Sequence, residues 1–389
     1  MIGDLRFTKV IQLACLALLS AIGFHPSALF AQGSLTPPGP PGATMLTLSQ
    51  IEPRTPISSG GFIITAPGSY CLTTNLVCTN TFGIETFANN ITLDLNGFSL
   101  TGTSGAEFGI YVVSGSSRIR VYNGMVNGWA NYGIASAAND ITLEHLAISG
   151  NTIGVVLSGS FGNTLRDSTV DGNTNYGVWC DQCSATLDDL VVSSNGNLGI
   201  YFQQCANDAV KDCTVDGNGS HGVDFSSTGN GIISDSAINE NNGFGIDCTS
   251  STNVNLERLT ILDNNTSGIN FSGSGCIISA CGINGNNQDG ILMAGSGCFI
   301  HDNNCAGNAD GIYVTGSNNR IENNHIIENG GTGLAFEGLS TNNLVVKNSV
   351  EGSGTYDYFF NSPQITGPII TNAISGIITN SSPWANFGF

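Results

Sequence analysis

The segment "GIYFQQCANDAVKDCTVDGNGSHGVDFSSTGNGIISDSAINENNGFGIDC", residues 199–248, repeats one short pattern three times. Each copy begins with a glycine (Gly199, Gly222 or Gly245) that precedes an apolar, a polar and an apolar residue. Asn218 and Asn241 lie four residues before the second and third glycines. Alternation of this kind predicts a short strand with one face buried. A fixed spacing of 23 residues between the glycines indicates a solenoid, in which each repeat packs only against its neighbours.

The same pattern extends over most of the chain. Glycine followed by Ile, Val or Leu recurs at intervals of 21 to 26 residues, at Gly83, Gly109, Gly133, Gly154, Gly177, Gly199, Gly222, Gly245, Gly268, Gly290, Gly311 and Gly333. Two further apolar pulses follow within each unit, and no segment has a sustained helical period. The stacked asparagines predict a hydrogen-bonded ladder at one corner. The sequence therefore predicts an all-β fold, a single-stranded parallel β-helix of about twelve coils of roughly 22 residues.

The segments outside the repeat define the predicted domain organisation. Arg6 and Lys9 precede an apolar run that ends in small residues, so residues 1–31 are predicted to be a signal peptide. The run is too short for a comfortable membrane span, and we expect an exported protein that does not span the membrane. A Pro/Gly-rich linker (32–45), an N-terminal cap with the first strands (46–82), the β-helix (83–349) and a C-terminal cap (350–389) follow.

Charge excludes several classes of partner. The 389-residue chain has a formal net charge of −19, and only 10% of its residues are charged. Such a surface repels nucleic acid, and it disfavours polyanionic sugars unless a cation bridges them. The sequence carries no signal for the oligomeric state.

The repeats and three opening stretches resemble a known family. Glycine-apolar repeats with asparagine corners, together with "LSQIEPRTPISS", "PGSYCLTTNL" and "ITLDLNGFSLTG", resemble uncharacterised exported bacterial β-helix proteins of the pectin-lyase-like superfamily. The resemblance implies a right-handed parallel β-helix. It also implies a carbohydrate-related function and a location outside the cell, at the cell surface or in the periplasm.

The outward positions of the first strand carry the candidate site. An acid pair on adjacent coils, Asp224 and Asp247, lies beside His221, and these three are the candidate catalytic residues. Aromatic faces and polar groups suit sugar binding, so the candidate substrate-binding residues are Tyr176, Trp179, Asp181, Tyr201, Gln203 and Asn270.

Two function classes follow, and whether the protein is an enzyme stays open. Polygalacturonase-type hydrolases carry four short motifs on successive coils, of which only "SHG" at 220–222 has a counterpart here. The coils are also too short to wall a deep cleft. We therefore favour a glycan-binding or cell-surface module with a shallow surface. The alternative is a polysaccharide-degrading enzyme, a glycoside hydrolase or a lyase, that uses the outward acids.

Cofactors and cysteines complete the sequence-based expectations. "DGNTNYG" (171–177) and "DGNGSHG" (216–222) offer Ca²⁺ alternating oxygen ligands, but the asparagine corner explains both loops. We expect no cofactor and no metal ligands, with Ca²⁺ as the alternative. Stacked positions in an exported protein make disulfides plausible. The candidate pairs are Cys71 with Cys78, Cys183 with Cys205, and Cys276 with Cys298.

Overall fold

A computed structural model describes residues 53–371 and 381–388. These residues form forty strands, β1–β40 in chain order, and contain no helix. Consequently, the described part of the chain offers no helix that could cross a membrane. The predicted signal peptide and linker lie outside the described residues, as do the first residues of the predicted N-terminal cap.

The first sheet contains one strand from each coil. Its fourteen strands are β2 (Phe62–Ile64), β5 (Phe82–Thr86), β8 (Phe108–Val112), β10 (Tyr132–Ser136), β12 (Ile153–Ser158), β14 (Val178–Asp181), β16 (Ile200–Gln203), β19 (Val223–Ser226), β22 (Ile246–Cys248), β25 (Ile269–Phe271), β28 (Ile291–Met293), β31 (Ile312–Val314), β34 (Thr332–Phe336) and β37 (Tyr356–Phe360). Each strand pairs in parallel with its neighbours, and the register places Tyr201 beside Asp224 and Asp224 beside Asp247.

The second sheet takes the other strands of every coil. It contains β1 (Thr55–Ile57), β3 (Gly68–Leu72), β4 (Leu76–Cys78), β6 (Ile91–Asp94), β7 (Ser99–Gly102), β9 (Ser117–Asn127), β11 (Asn139–Ser149), β13 (Asn163–Asp171), β15 (Ala185–Ser193), β17 (Ala209–Lys211), β18 (Thr214–Asp216), β20 (Ile232–Ser234), β21 (Ala237–Asn239), β23 (Asn255–Glu257), β24 (Thr260–Leu262), β26 (Ile277–Ser279), β27 (Gly282–Asn284), β29 (Phe299–His301), β30 (Asn304–Ala306), β32 (Arg320–Glu322), β33 (His325–Ile327), β35 (Leu344–Val346), β36 (Ser349–Glu351), β38 (Ile365–Thr366), β39 (Ile369–Thr371) and β40 (Asn386–Gly388).

The sequence-based fold is confirmed, with about two more coils than the glycine repeat indicates. The additional first-sheet strands are β2 and β37. Strand β2 follows Gly61 but opens with Phe62 instead of an aliphatic residue, and β37 has no preceding Gly-aliphatic pair. The Gly-aliphatic repeat therefore did not predict strands β2 and β37. The first and third residues after each repeat glycine point into the core, where Phe202, Phe225 and Phe271 are fully buried.

Close backbone approach explains the repeat glycines. A Cβ built on Gly222 would lie 2.6 Å from Ile238 Cγ2 and 2.7 Å from the carbonyl oxygen of Gly245 in the next coil. Both distances are shorter than packed side chains tolerate, so only glycine fits this position.

The predicted asparagine ladder is present and buried. The Asn218 side-chain oxygen accepts the backbone N–H of Asn195 at 3.1 Å and its side-chain N–H at 3.0 Å. The Asn218 amide in turn donates to Val192 O at 3.3 Å and to Asn241 Oδ1 at 2.9 Å. The ladder comprises Asn151, Asn173, Asn195, Asn218, Asn241, Asn264, Asn286, Asn308 and Asn329. The ladder provides hydrogen-bond partners for the backbone N–H and C=O groups at the buried corner of each coil.

None of the three predicted disulfides is present, and all six cysteines of the candidate pairs are free thiols. Cys183 Sγ and Cys205 Sγ are 4.0 Å apart, whereas a disulfide requires ~2.05 Å. Cys298 Sγ accepts the backbone N–H of Cys276 at 3.3 Å. Cys71 and Cys78 are free as well.

Candidate functional site

An aromatic belt runs along the outward face of the first sheet from β5 to β16. Phe82 and Phe108 stack with ring centroids 5.2 Å apart, and Phe108 contacts Tyr132 at 5.4 Å. Further along, Trp179 and Tyr201 stack at 6.4 Å with an interplanar angle of 16°. Buried Ala135, Ile153 and Val156 join the two halves into one outward-facing cluster. We define the aromatic belt as Phe82, Phe108, Tyr111, Tyr132, Tyr176, Trp179 and Tyr201.

The three candidate catalytic residues meet where the belt ends. His221, Asp224 and Asp247 each contribute a side-chain nitrogen or oxygen, and these atoms lie within 4.8 Å of one another. Parallel pairing of β19 with β22 places the two aspartates side by side on adjacent coils. His221 precedes the repeat glycine of the same coil as Asp224, and its Nε2 lies 4.0 Å from Asp247 Oδ2. We call these three residues the acid–histidine cluster.

A backbone hydrogen bond fixes the tautomer of His221. Its Nδ1 accepts the backbone N–H of Phe244 at 2.9 Å, and the two rings stack with centroids 5.0 Å apart. A neutral imidazole has one N–H, so the proton lies on Nε2, the atom that faces Asp247. Burial lowers the pKa of His221, although the charge of Asp247 opposes this effect. At neutral pH His221 is therefore an uncharged hydrogen-bond donor.

Asp224 differs strongly from an ordinary surface aspartate. Burial, with the neighbouring charge of Asp247 as the second cause, raises the pKa of its carboxyl to about 7. Its Oδ1 is covered and has no hydrogen-bond partner. By contrast, Asp247 Oδ1 accepts a hydrogen bond from Asn270 Nδ2 at 2.8 Å and one from Thr249 Oγ1 at 2.8 Å. Two adjacent carboxyls therefore have distinct environments, which is the arrangement that separates an acid from a base.

The remaining predicted residues lie on the same face. Tyr176 contacts Trp179 at 6.0 Å and Tyr201 at 5.5 Å. Asp181 and Gln203 are register partners at the ends of β14 and β16. The indole Nε1 of Trp179 is covered and lacks a hydrogen-bond partner.

Sequence reasoning missed several members of this surface. Phe82, Phe108, Tyr132 and Phe244 all occupy the position directly before a repeat glycine. Tyr176 and His221 occupy the same position, so a comparison of the residue before every repeat glycine would have found Phe82, Phe108, Tyr132 and Phe244 as well. The sequence pattern places Tyr111, the second residue after Gly109, on the outward face, but only the structure shows that its ring centroid lies 5.2 Å from that of Phe108.

A second acid pair lies further along the face. Burial, followed by the charge of Asp310, raises the pKa of Asp289 to about 6. Asp310 Oδ1 accepts the backbone N–H of Thr332 at 2.5 Å. Tyr313 lies near this pair, but among the described residues no stacked pair of aromatic rings adjoins it, in contrast to Trp179 and Tyr201 beside Asp224.

The two calcium-like loops serve the asparagine ladder. Asn173 Oδ1 accepts two hydrogen bonds from Asn151, at 3.0 Å each, and Asn218 Oδ1 accepts two from Asn195. These oxygens are buried and occupied. The structure therefore favours the corner interpretation of both loops.

Sequence comparison identifies the family. The family profile described as right-handed β-helix region matches residues 176–297 and 250–383, which together span more than half of the chain. The chain is a pectin-lyase-like right-handed parallel β-helix and belongs to this family. A second profile, described as periplasmic copper-binding protein NosD, matches residues 109–230. No curated protein matches the sequence.

Solved structures share the fold at low sequence identity. The A-module of the mannuronan C-5 epimerase AlgE4 from Azotobacter vinelandii has a TM-score of 0.50 and 18% identity, covering 78% of this chain and 90% of the module. The AlgE6 A-module from the same organism has a TM-score of 0.51 and 16% identity, covering 86% and 88%. These likenesses establish the fold alone.

Among the described residues, each of the two groups of potential metal ligands contains one histidine, two acids and no cysteine. Copper favours thiolate, thioether and imidazole ligands. Hydrogen bonds with neighbouring thiols, followed by burial, raise the pKa values of Cys183 and Cys205 far above the ordinary value, so both remain protonated. The His221 Nε2 carries its proton because Nδ1 is an acceptor. Glu144, in the other group of potential ligands, is paired with Arg120 and Arg166.

Proposed function

We propose that this is an exported β-helix protein whose first-sheet face binds a polysaccharide. One observation carries the proposal: the aromatic belt is continuous with the acid–histidine cluster on a single outward face. From β5 to β22 there are seven strand spacings of ~4.8 Å, or ~34 Å, enough for several sugar residues. Aromatic rings stack against sugar C–H faces, and carboxyls and amides bind hydroxyls.

Binding to an immobilised set of polysaccharides tests the proposal. The native protein should retain at least one glycan class, and removal of the stacked rings in Trp179→Ala/Tyr201→Ala should abolish retention. The matched control is Phe161→Ala, because Phe161 is 65% exposed but lies in the turn before β13, outside the belt. Equal retention of the native protein and the double variant would refute binding through this face.

A second candidate is cleavage of the bound glycan, and the unequal environments of Asp224 and Asp247 favour it. The raised pKa of Asp224 would allow it to protonate a leaving glycosidic oxygen. Asp247, oriented by Asn270 and Thr249, would act as the nucleophile or base. Carboxyl oxygens within 4.8 Å suit a retaining hydrolase, in which the separation is about 5–5.5 Å.

Product analysis separates the two functions. New reducing ends that disappear in both Asp224→Asn and Asp247→Asn would support hydrolysis. Unsaturated products would instead support a lyase. Retention of glycan without any new product would support binding alone.

A further inference from the structure

The positive charges of the described chain are segregated away from the first-sheet face. None of the fourteen first-sheet strands contains Lys or Arg. The eight described bases lie in second-sheet strands or directly beside them, at Arg54, Arg118, Arg120, Arg166, Lys211, Arg258, Arg320 and Lys347.

Seven of these eight bases form ion pairs with acids. Arg120 and Arg166 both pair with the buried Glu144. Further pairs are Arg54–Asp94, Lys211–Asp188, Arg258–Asp235, Arg320–Glu322 and Lys347–Glu322. Arg118 donates to Asn90 Oδ1 at 2.6 Å. Among the described residues, no Lys or Arg therefore lies in a first-sheet strand to receive the carboxylates of a polyuronate on the belt.

The face instead presents carboxyls without a protein counter-ion. Asp224 and Asp247 adjoin each other, and the nearest basic group, His221, is held neutral by its bond from Phe244. Asp224 Oδ1 is covered and has no hydrogen-bond donor, so a charge on this carboxyl needs a donor at its other oxygen, Oδ2. An ammonium group there would stabilise the charge of Asp247 and would favour ionisation of Asp224.

We infer that the belt and the acid–histidine cluster select a polysaccharide that carries free amino groups, with an ammonium held between Asp224 and Asp247. This inference rests on the proposed function and names its ligand class. Tyr201 adjoins Asp224 in the register, so a ring that places its amino group at the acids can stack on Tyr201 and Trp179. Aromatic faces also attract cations directly.

A metal ion fits the same position less well. Ca²⁺ takes six to eight oxygen ligands. Here Asp224 Oδ1 is covered, Asp247 Oδ1 already accepts two hydrogen bonds, and His221 Nε2 carries a proton. An ammonium group needs only about three acceptors, one for each N–H.

Three hexasaccharides test the inference: glucosamine, N-acetylglucosamine and galacturonate oligomers, each titrated at pH 6 with EDTA present and again with Ca²⁺. Tryptophan fluorescence or calorimetry reports the affinity. The glucosamine hexamer should bind about tenfold tighter or more than its neutral acetylated counterpart, and this preference should weaken with added salt. Asp247→Asn should bring the affinities for these two hexamers to the same value, because it removes the carboxylate that distinguishes an ammonium from an acetamido group.

Asp188→Asn is the matched control, because Asp188 is an acid of the second sheet that pairs with Lys211 at 3.6 Å. It should keep the full preference for glucosamine. Equal affinity for the first two hexamers, or tighter binding of galacturonate with or without Ca²⁺, would overturn the amino-sugar inference and leave glycan binding standing. Failure of all glycans in this titration and in the retention assay would overturn both.

Discussion

Replacement of Asp224 by Asn should make the protein less sensitive to pH. The Asp224 carboxyl has a pKa of about 7 in the folded protein, against an ordinary value of 3.8. Between these values the folded state binds more protons than the unfolded chain, so the free energy of unfolding falls as the pH rises. The difference between about 7 and 3.8 corresponds to at most ~4 kcal/mol over the whole range between the two values, and partial exposure reduces this to ~2–3 kcal/mol.

Urea denaturation at pH 5 and pH 8 measures this effect. Because pH 5 already lies above the ordinary value of 3.8, the native protein should lose ~1–2.5 kcal/mol more than Asp224→Asn over this interval, with most of the loss between pH 5 and 7. Asp208 and Asp289 also have raised pKa values, about 7 and about 6, so some pH dependence should persist in the variant. The difference between the two proteins isolates Asp224.

Asp235→Asn is the control for this comparison. The guanidinium of Arg258 lowers the pKa of Asp235, which therefore stays ionised from pH 5 to 8. Its replacement should leave the pH dependence between those values unchanged. The reasoning about Asp224 would be refuted if the native protein and Asp224→Asn lost the same free energy between pH 5 and 8.

Three further substitutions probe the scaffold by urea denaturation. Asn218→Ala should cost ~2–4 kcal/mol because it leaves buried ladder donors unpaired, whereas the exposed Asn242→Ala should change stability by less than ~0.5 kcal/mol; equal effects would contradict the ladder. Gly222→Ala should cost ~1–3 kcal/mol or more because its Cβ would collide with the next coil, and an unchanged midpoint would contradict that packing. Glu144→Gln should cost ~1.5–3 kcal/mol by removing the charge shared by two arginines, and an unaltered stability would show the pairs to be inconsequential.

The sequence predicted the coil architecture because each coil repeats the same steric requirement. Gly222 meets the backbone of the next coil, and Asn218 bonds to equivalent residues on both sides. Because these requirements recur in every coil, the same residue types recur at a fixed spacing in the sequence. The end coils escaped detection because β2 and β37 replace the Gly-aliphatic signature with aromatic residues.

The sequence predicted where the candidate site lies, but it did not predict the protonation state or the hydrogen bonding of its residues. Outward alternation was enough to place Asp224 beside Asp247. The tautomer of His221 depends on a backbone N–H from Phe244, and the isolation of Asp224 Oδ1 depends on packing, neither of which leaves a periodic trace. For the cysteines, stacking placed Cys183 and Cys205 on neighbouring coils, but it did not reveal that their sulfur atoms lie 4.0 Å apart and form hydrogen bonds instead of a disulfide.

The most direct test of the account is the affinity of two tryptophan variants for the glycan that the native protein binds. Trp179 lies in the aromatic belt, whereas Trp384, 50% exposed, lies near the C-terminal end in a cation–π contact with Lys347. Trp179→Ala should bind about tenfold more weakly or worse, because it loses a ring whose burial against the sugar contributes ~1.5–3 kcal/mol to the binding free energy. Trp384→Ala should bind like the native protein. Undiminished binding by Trp179→Ala, or equal losses in both variants, would contradict the assignment of the first-sheet face as the glycan site.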